Sequence, residues 1–117
     1  MSVITANRYR EHTTEAQMRE AIADAVAHLG GRCWYVHDSR YAPATADLPD
    51  LIIALPRGVV AFVELKSQRR RITDGQHAAI ALLRECRRSE SFVVRPVPRD
   101  ETECSFDDFL NWIGGAA

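Results

Sequence analysis

A chain of 117 residues with 46% hydrophobic and 26% charged residues has room for one domain with a real core. No apolar run approaches the ~18 residues that a membrane crossing needs, and the polar stretch from Met1 to Thr14 lacks the apolar segment of a secretory signal. Three scattered cysteines (Cys33, Cys86, Cys104) exclude a disulfide framework or a zinc knuckle and point to a reducing, cytoplasmic setting, while a net charge of −1 rules out a uniformly basic or acidic protein.

After a polar lead-in over residues 1–13, Thr14-Glu15-Ala16-Gln17 has the form of a capping box. The helix it opens is expected to run to about Leu29, where Gly30-Gly31 supplies the stop. Met18, Ile22, Val26 and Leu29 form its apolar stripe, and at about 100° per residue Glu15 falls on that same face. Cys33 to His37 reads as a short strand and Asp38 to Asp47 as an irregular loop. Asp50–Leu55 and Val59–Lys66 read as two strands joined into an antiparallel hairpin by Pro56-Arg57-Gly58.

A second capping box, Thr73-Asp74-Gly75-Gln76, opens a helix to about Arg88 with Ala79, Ile80, Leu83 and Cys86 inward. Phe92–Arg95 is expected as a fourth strand, ended by Pro96 and Pro98, and Ser105–Ile113 as a short final helix with Phe106, Phe109, Leu110 and Ile113 on its apolar side. Trp34, Trp112 and the other aromatics are expected in the core. The order is α-β-β-β-α-β-α in a single α/β domain with a core from 14 to 98 and a C-terminal helix at 105–113.

The hairpin holds the chemistry. With a three-residue turn, Leu55 pairs with Val59, and the same register sets Asp50 opposite Glu64. Facing residues on antiparallel strands have Cβ atoms about 4.5–5.5 Å apart, so two carboxylates there repel unless a positive charge joins them. A divalent cation is the natural occupant, and Lys66, two residues on, shares the face. The bland alternative is a strand that emerges into solvent.

Pro49-Asp50 and Glu64-Leu65-Lys66 match the PD and ExK elements of the PD-(D/E)XK nucleases, and within them the chain most resembles the small VRR-NUC group, allied to Holliday-junction resolvases of phages and bacteria. Thr14-Glu15 and Thr73-Asp-Gly-Gln76 match two further elements of that group; where relatives often carry a glycine two residues before the PD element, this chain has Asp47. The resemblance implies a restriction-endonuclease-like αβββαβ core, a mixed sheet flanked by helices. It also implies a Mg²⁺- or Mn²⁺-dependent DNA endonuclease, working in a bacterial or phage-infected cell in repair, recombination or phage replication.

In that reading Asp50 and Glu64, with the Leu65 carbonyl and Glu15, bind one or two metal ions, Lys66 orients the attacking water or offsets charge, and Gln76 positions Lys66, the water or the phosphate. Two plainer roles stay open: Gln76 as a helix cap, and Glu15 as a partner of the helix dipole. Arg69, Arg70 and Arg71 are expected to bind flanking phosphates, with Arg40 and Tyr41 also contacting substrate. The stretch from Arg57 to Arg99 holds ten basic residues against four acidic ones, a locally basic surface of the kind a phosphate binder presents. Arg84, Arg87 and Arg88 suit the dipole at their helix end or simple solvation, and the four histidines lack zinc spacing. Expected partners are DNA, branched or flapped, and a second copy of the chain, with no membrane and no small-molecule cofactor. Rival readings are a Holliday-junction resolvase acting as a symmetric dimer, a non-cleaving nucleic-acid-binding module, and an unrelated α/β domain.

Overall fold

Thr14 caps the first helix of the core: its hydroxyl accepts from the Gln17 amide while the Gln17 side chain accepts from the Thr14 amide, the reciprocal cap expected. The structure, a computed structural model, describes residues 11–36 and 47–116. Helix α1, Glu15–His28, follows the cap and buries Met18, Ile22 and Val26. It stops at Gly30, whose φ of 81° lets the Gly30 and Gly31 amides turn back onto the carbonyls of Ala27 and Val26.

Strands β1 (Arg32–Tyr35), β2 (Leu51–Leu55) and β3 (Val59–Leu65) then form an antiparallel meander. β1 begins a residue earlier than expected, and His37 lies outside the described residues, as does the loop from Asp38 to Ala46 with Arg40 and Tyr41. The β2–β3 turn has three residues, with Gly58 at φ 89° and its amide bonded to the Leu55 carbonyl at 3.1 Å. That geometry, a turn closed by a left-handed glycine, sets Leu55 against Val59, the register the sequence implies.

Helix α2, Asp74–Arg84, opens with the second reciprocal cap, Thr73 with Gln76. It ends four residues sooner than expected, because the chain turns through Glu85–Arg88 to enter β4 at Ser89. Cys86, expected inward, is therefore exposed, and Ile80 is the buried residue of the helix. β4 (Ser89–Arg95) is three residues longer than its apolar run suggested, since Ser89, Glu90 and Ser91 pair in parallel with β3. A two-residue strand β5, Cys104–Ser105, pairs in parallel with β4, and α3 runs over Phe106–Ala116. β5 carries no pattern that a sequence reading could detect.

The sheet runs β1-β2-β3-β4-β5 in space, mixed in sense. Alternation divides its side chains between two faces. Leu51, Ile53, Ala61, Val63, Leu65 and Val94 face α1 and α3 in the main core, with Phe109 and Ile113. The opposite face carries Glu64, Lys66, Val93 and Arg95, and there α2 packs on β4. Among the described residues no helix is long and apolar enough to cross a membrane.

Trp34, expected in the core, is 43% exposed. It belongs to the edge strand and points to the face opposite α1, at a distance from α2, so no described helix covers it. Trp112 does pack against the core, beside Phe92 and Phe109.

Candidate active site

Asp50 stands one residue before β2, and its backbone continues the pairing, the Val36 amide donating to its carbonyl at 2.8 Å. Its carboxylate accepts from the Leu65 amide at 2.8 Å, which pins it to the end of β3. The register that pairs Leu51 with Val63 sets Asp50 against Glu64, and the two carboxyl groups share a hydrogen bond. Lys66 Nζ lies 3.5 Å from Glu64 Oε1, and both side chains are almost fully buried (2% and 3% exposed). The three groups therefore converge at one end of the sheet, as the hairpin register required.

Burial dominates the electrostatics. It pushes the Glu64 carboxyl up to about 8, with the Asp50 charge and their shared hydrogen bond adding to the rise and Lys66 opposing it. Burial raises Asp50 too, against the Leu65 amide that stabilises its anion, and the negative charge of Glu15 raises it further. Burial and the neighbouring carboxylate thus both favour the protonated form of Glu64. The carboxyl oxygens of Asp50 and Glu64 are hard donors of the kind that suit a magnesium-like cation.

Glu15 reaches the site from the first turn of α1. Its carboxylate accepts from the Ser67 amide at 3.0 Å and pairs with Arg70 at 3.2 Å. Among the described residues, no three His, Cys, Asp or Glu side chains gather closely enough to enclose an ion by themselves. A cation would draw on Asp50 and Glu64, with backbone or water oxygens completing its shell. Gln76 spends its amide oxygen on its own cap, so any part it takes with substrate falls to the NH₂ group. Arg69, Arg70 and Arg71 are all exposed, with Arg70 engaged by Glu15. Arg84 serves structure: its guanidinium donates to the carbonyl of Thr102 at 2.8 Å.

Two further residues lie beside the site: Arg95, which no sequence motif singles out, and Asp47, which stands where relatives often carry glycine. Arg95, 1% exposed, forks onto both oxygens of Glu103 at 2.8 and 2.7 Å and donates to the carbonyls of Ser67 and Arg70 at 2.9 and 2.8 Å. It holds the loop whose Ser67 amide binds Glu15. Its signal was a charge in phase with the inward row of β4, the same kind that marked Glu64. The second is Asp47, which adopts a left-handed φ of 66°, a conformation that glycine enters freely and aspartate tolerates. Its carboxylate lies over Gly75 in the first turn of α2, where a Cβ on residue 75 would collide with it.

A sequence model of the VRR-NUC domain matches residues 6–97. The chain belongs to the VRR-NUC domain family of the PD-(D/E)XK nuclease superfamily, and that membership implies a nuclease-like function. A solved structure described as a VRR-NUC domain is similar in fold, with a TM-score of 0.62 and 24% identity over 86% of this chain and 94% of that one. No curated protein matches the sequence.

Proposed function

We propose that the protein is a divalent-metal-dependent DNA endonuclease that hydrolyses phosphodiester bonds, with Asp50, Glu64 and Lys66 at the reacting centre. The observation that carries this reading is the buried pair Asp50–Glu64 with Lys66 beside it. A sheet gains nothing from two facing acids that must keep a proton to coexist, whereas a site for a cation and a phosphate needs that arrangement.

Asp50 and Glu64, with the Leu65 carbonyl, would hold Mg²⁺ or Mn²⁺, both of which take oxygen ligands. Such an ion lowers the pKa of a water and offsets charge on the scissile phosphate. Lys66 brings a buried ammonium to the same place, where it stabilises negative charge that develops on the phosphate oxygens. The Leu65 amide keeps Asp50 aimed at Glu64, and Glu15, tethered by Ser67 and Arg70, deepens the negative potential that draws the cation. Arg69 and Arg71, exposed just past β3, serve the flanking phosphates. One domain over residues 1–117, a branched or flapped DNA, a role in repair, recombination or phage replication, and pairing of two copies complete the reading.

The test is incubation with linear, flapped and four-way DNA in Mg²⁺, Mn²⁺ or EDTA. Products that need the metal and vanish in Asp50→Ala and Glu64→Ala support the endonuclease. DNA binding without cleavage under any metal would make the protein a binding module instead.

A further inference from the structure

The face that carries the paired carboxyls continues past them as successive cross-strand rows. One row beyond Asp50 and Glu64 lie Trp34, Ile52 and Phe62, paired in register across β1, β2 and β3. Strand geometry puts this row about 6.6–6.8 Å from the carboxyls, two residues along each strand and on the same side. Trp34 is 43% exposed, and Ile52 and Phe62 are only partly buried. Helix α2 packs on β4 and leaves these three strands to its side. The next row begins with Arg32, whose guanidinium stands 5.2 Å from the centre of the Trp34 ring. The indole, the isoleucine and the phenylalanine thus form one apolar row beside the paired carboxyls.

We infer that this row is a stacking platform for unpaired bases of the DNA strand that passes through the active site. The inference rests on the nuclease reading and names the substrate class it would favour, DNA with single-stranded character next to the cut. Two features select a nucleic acid over an apolar partner. The platform is continuous with the site where a phosphate must sit, and its exposed end carries a cation, Arg32, already seated on the ring. Aromatic faces with adjoining arginines are how single strands are gripped without regard to sequence. Duplex bases present only their edges, since their faces are stacked on one another, so Trp34 discriminates for strands that are open.

Binding is measured in EDTA, by anisotropy of a labelled single-stranded oligonucleotide, a flapped duplex and a blunt duplex. Trp34→Ala should bind the single strand and the flap about tenfold more weakly, and the blunt duplex within about twofold of the parent, whereas Trp34→Phe keeps most of the affinity. Because Trp34 sits at an exposed edge, both variants should fold, which thermal melting checks. Unchanged affinity of Trp34→Ala for single strands, or an equal loss on all three DNAs, overturns the platform. So does a parent dimer that Trp34→Ala splits in sedimentation, which would give the row to a second copy of the chain. Magnesium-dependent cutting of the single strand, the flapped duplex and the blunt duplex, assayed in parallel, separates the two readings. A cutting enzyme indifferent to Trp34 sinks the platform alone, and a selective binding loss in a protein that cuts nothing sustains the platform and sinks the nuclease.

Discussion

Glu64 is where one residue reports the state of the whole site. Its carboxyl, pushed up to about 8 by burial and by Asp50, binds a proton in the folded protein that the unfolded chain releases near the ordinary value of 4.5. Between those values the native state holds more protons than the unfolded one, so its stability must fall as pH rises. This contribution is fully present below about pH 4.5 and gone above about pH 8. The melting temperature in EDTA should therefore decline across that window, Glu64→Gln should flatten the decline, and Mg²⁺ should raise the melting point most at the alkaline end. A parent protein whose EDTA melting point rises steadily from pH 5 to pH 8, just as Glu64→Gln does, would show that Glu64 titrates normally. At the same scale, Lys66→Met should lower kcat by about 10²–10³-fold in single-turnover assays while DNA affinity in EDTA holds, the loss typical of one group that stabilises transition-state charge.

Elements explain why some of this was legible in the sequence and some was not. Asp50, Glu64 and Lys66 could be placed together because strand side chains alternate strictly and a three-residue turn fixes the register. Both capping boxes were equally local and formed as written. The ends of elements were less visible: Ser89, Glu90 and Ser91 look polar and loop-like, yet pairing with β3 makes them strand. Trp34 was misplaced because hydrophobicity alone does not tell an edge strand from a central one. Arg95 and Glu103 escaped notice because their pairing spans eight residues of irregular chain, and a tally of charges treats a buried fork like any solvated arginine.

That fork makes its own prediction. Both side chains are nearly inaccessible (1% and 4% exposed), so Arg95→Ala strands the Glu103 carboxylate and should destabilise the fold by about 3–5 kcal/mol in urea unfolding. Replacing both at once, Arg95→Met with Glu103→Leu, should restore most of the stability, since apolar pairs often substitute for buried ions. Turnover should stay low in the double variant, because the Ser67 and Arg70 carbonyls no longer have their donor. Wild-type kcat in the double variant would reduce the fork to a packing device.

For the molecule as a whole, a net charge of −1 conceals a basic stretch from Arg57 to Arg99 followed by five acids between Asp100 and Asp108. Arg95 is committed inside the fold to Glu103, and the exposed Arg84 is engaged by the Thr102 carbonyl, so a sequence count overstates the cations open to phosphates. Arg69 and Arg71 remain exposed past β3. Substituting both by alanine should make the plot of log affinity against log salt shallower by about 0.9 for each phosphate that is no longer neutralised. An unaltered slope would remove these arginines from the interface.

The family-matched stretch ends at residue 97, and every group placed at the reacting centre lies within it. Glu103 does not, and neither does α3, whose Phe109 and Ile113 complete the core. A fragment trimmed to the family boundary would keep every residue proposed for the reacting centre yet lose the counter-ion of Arg95 and the helix that closes the core. Moving the proposed site into a chimaera means carrying the tail along with it.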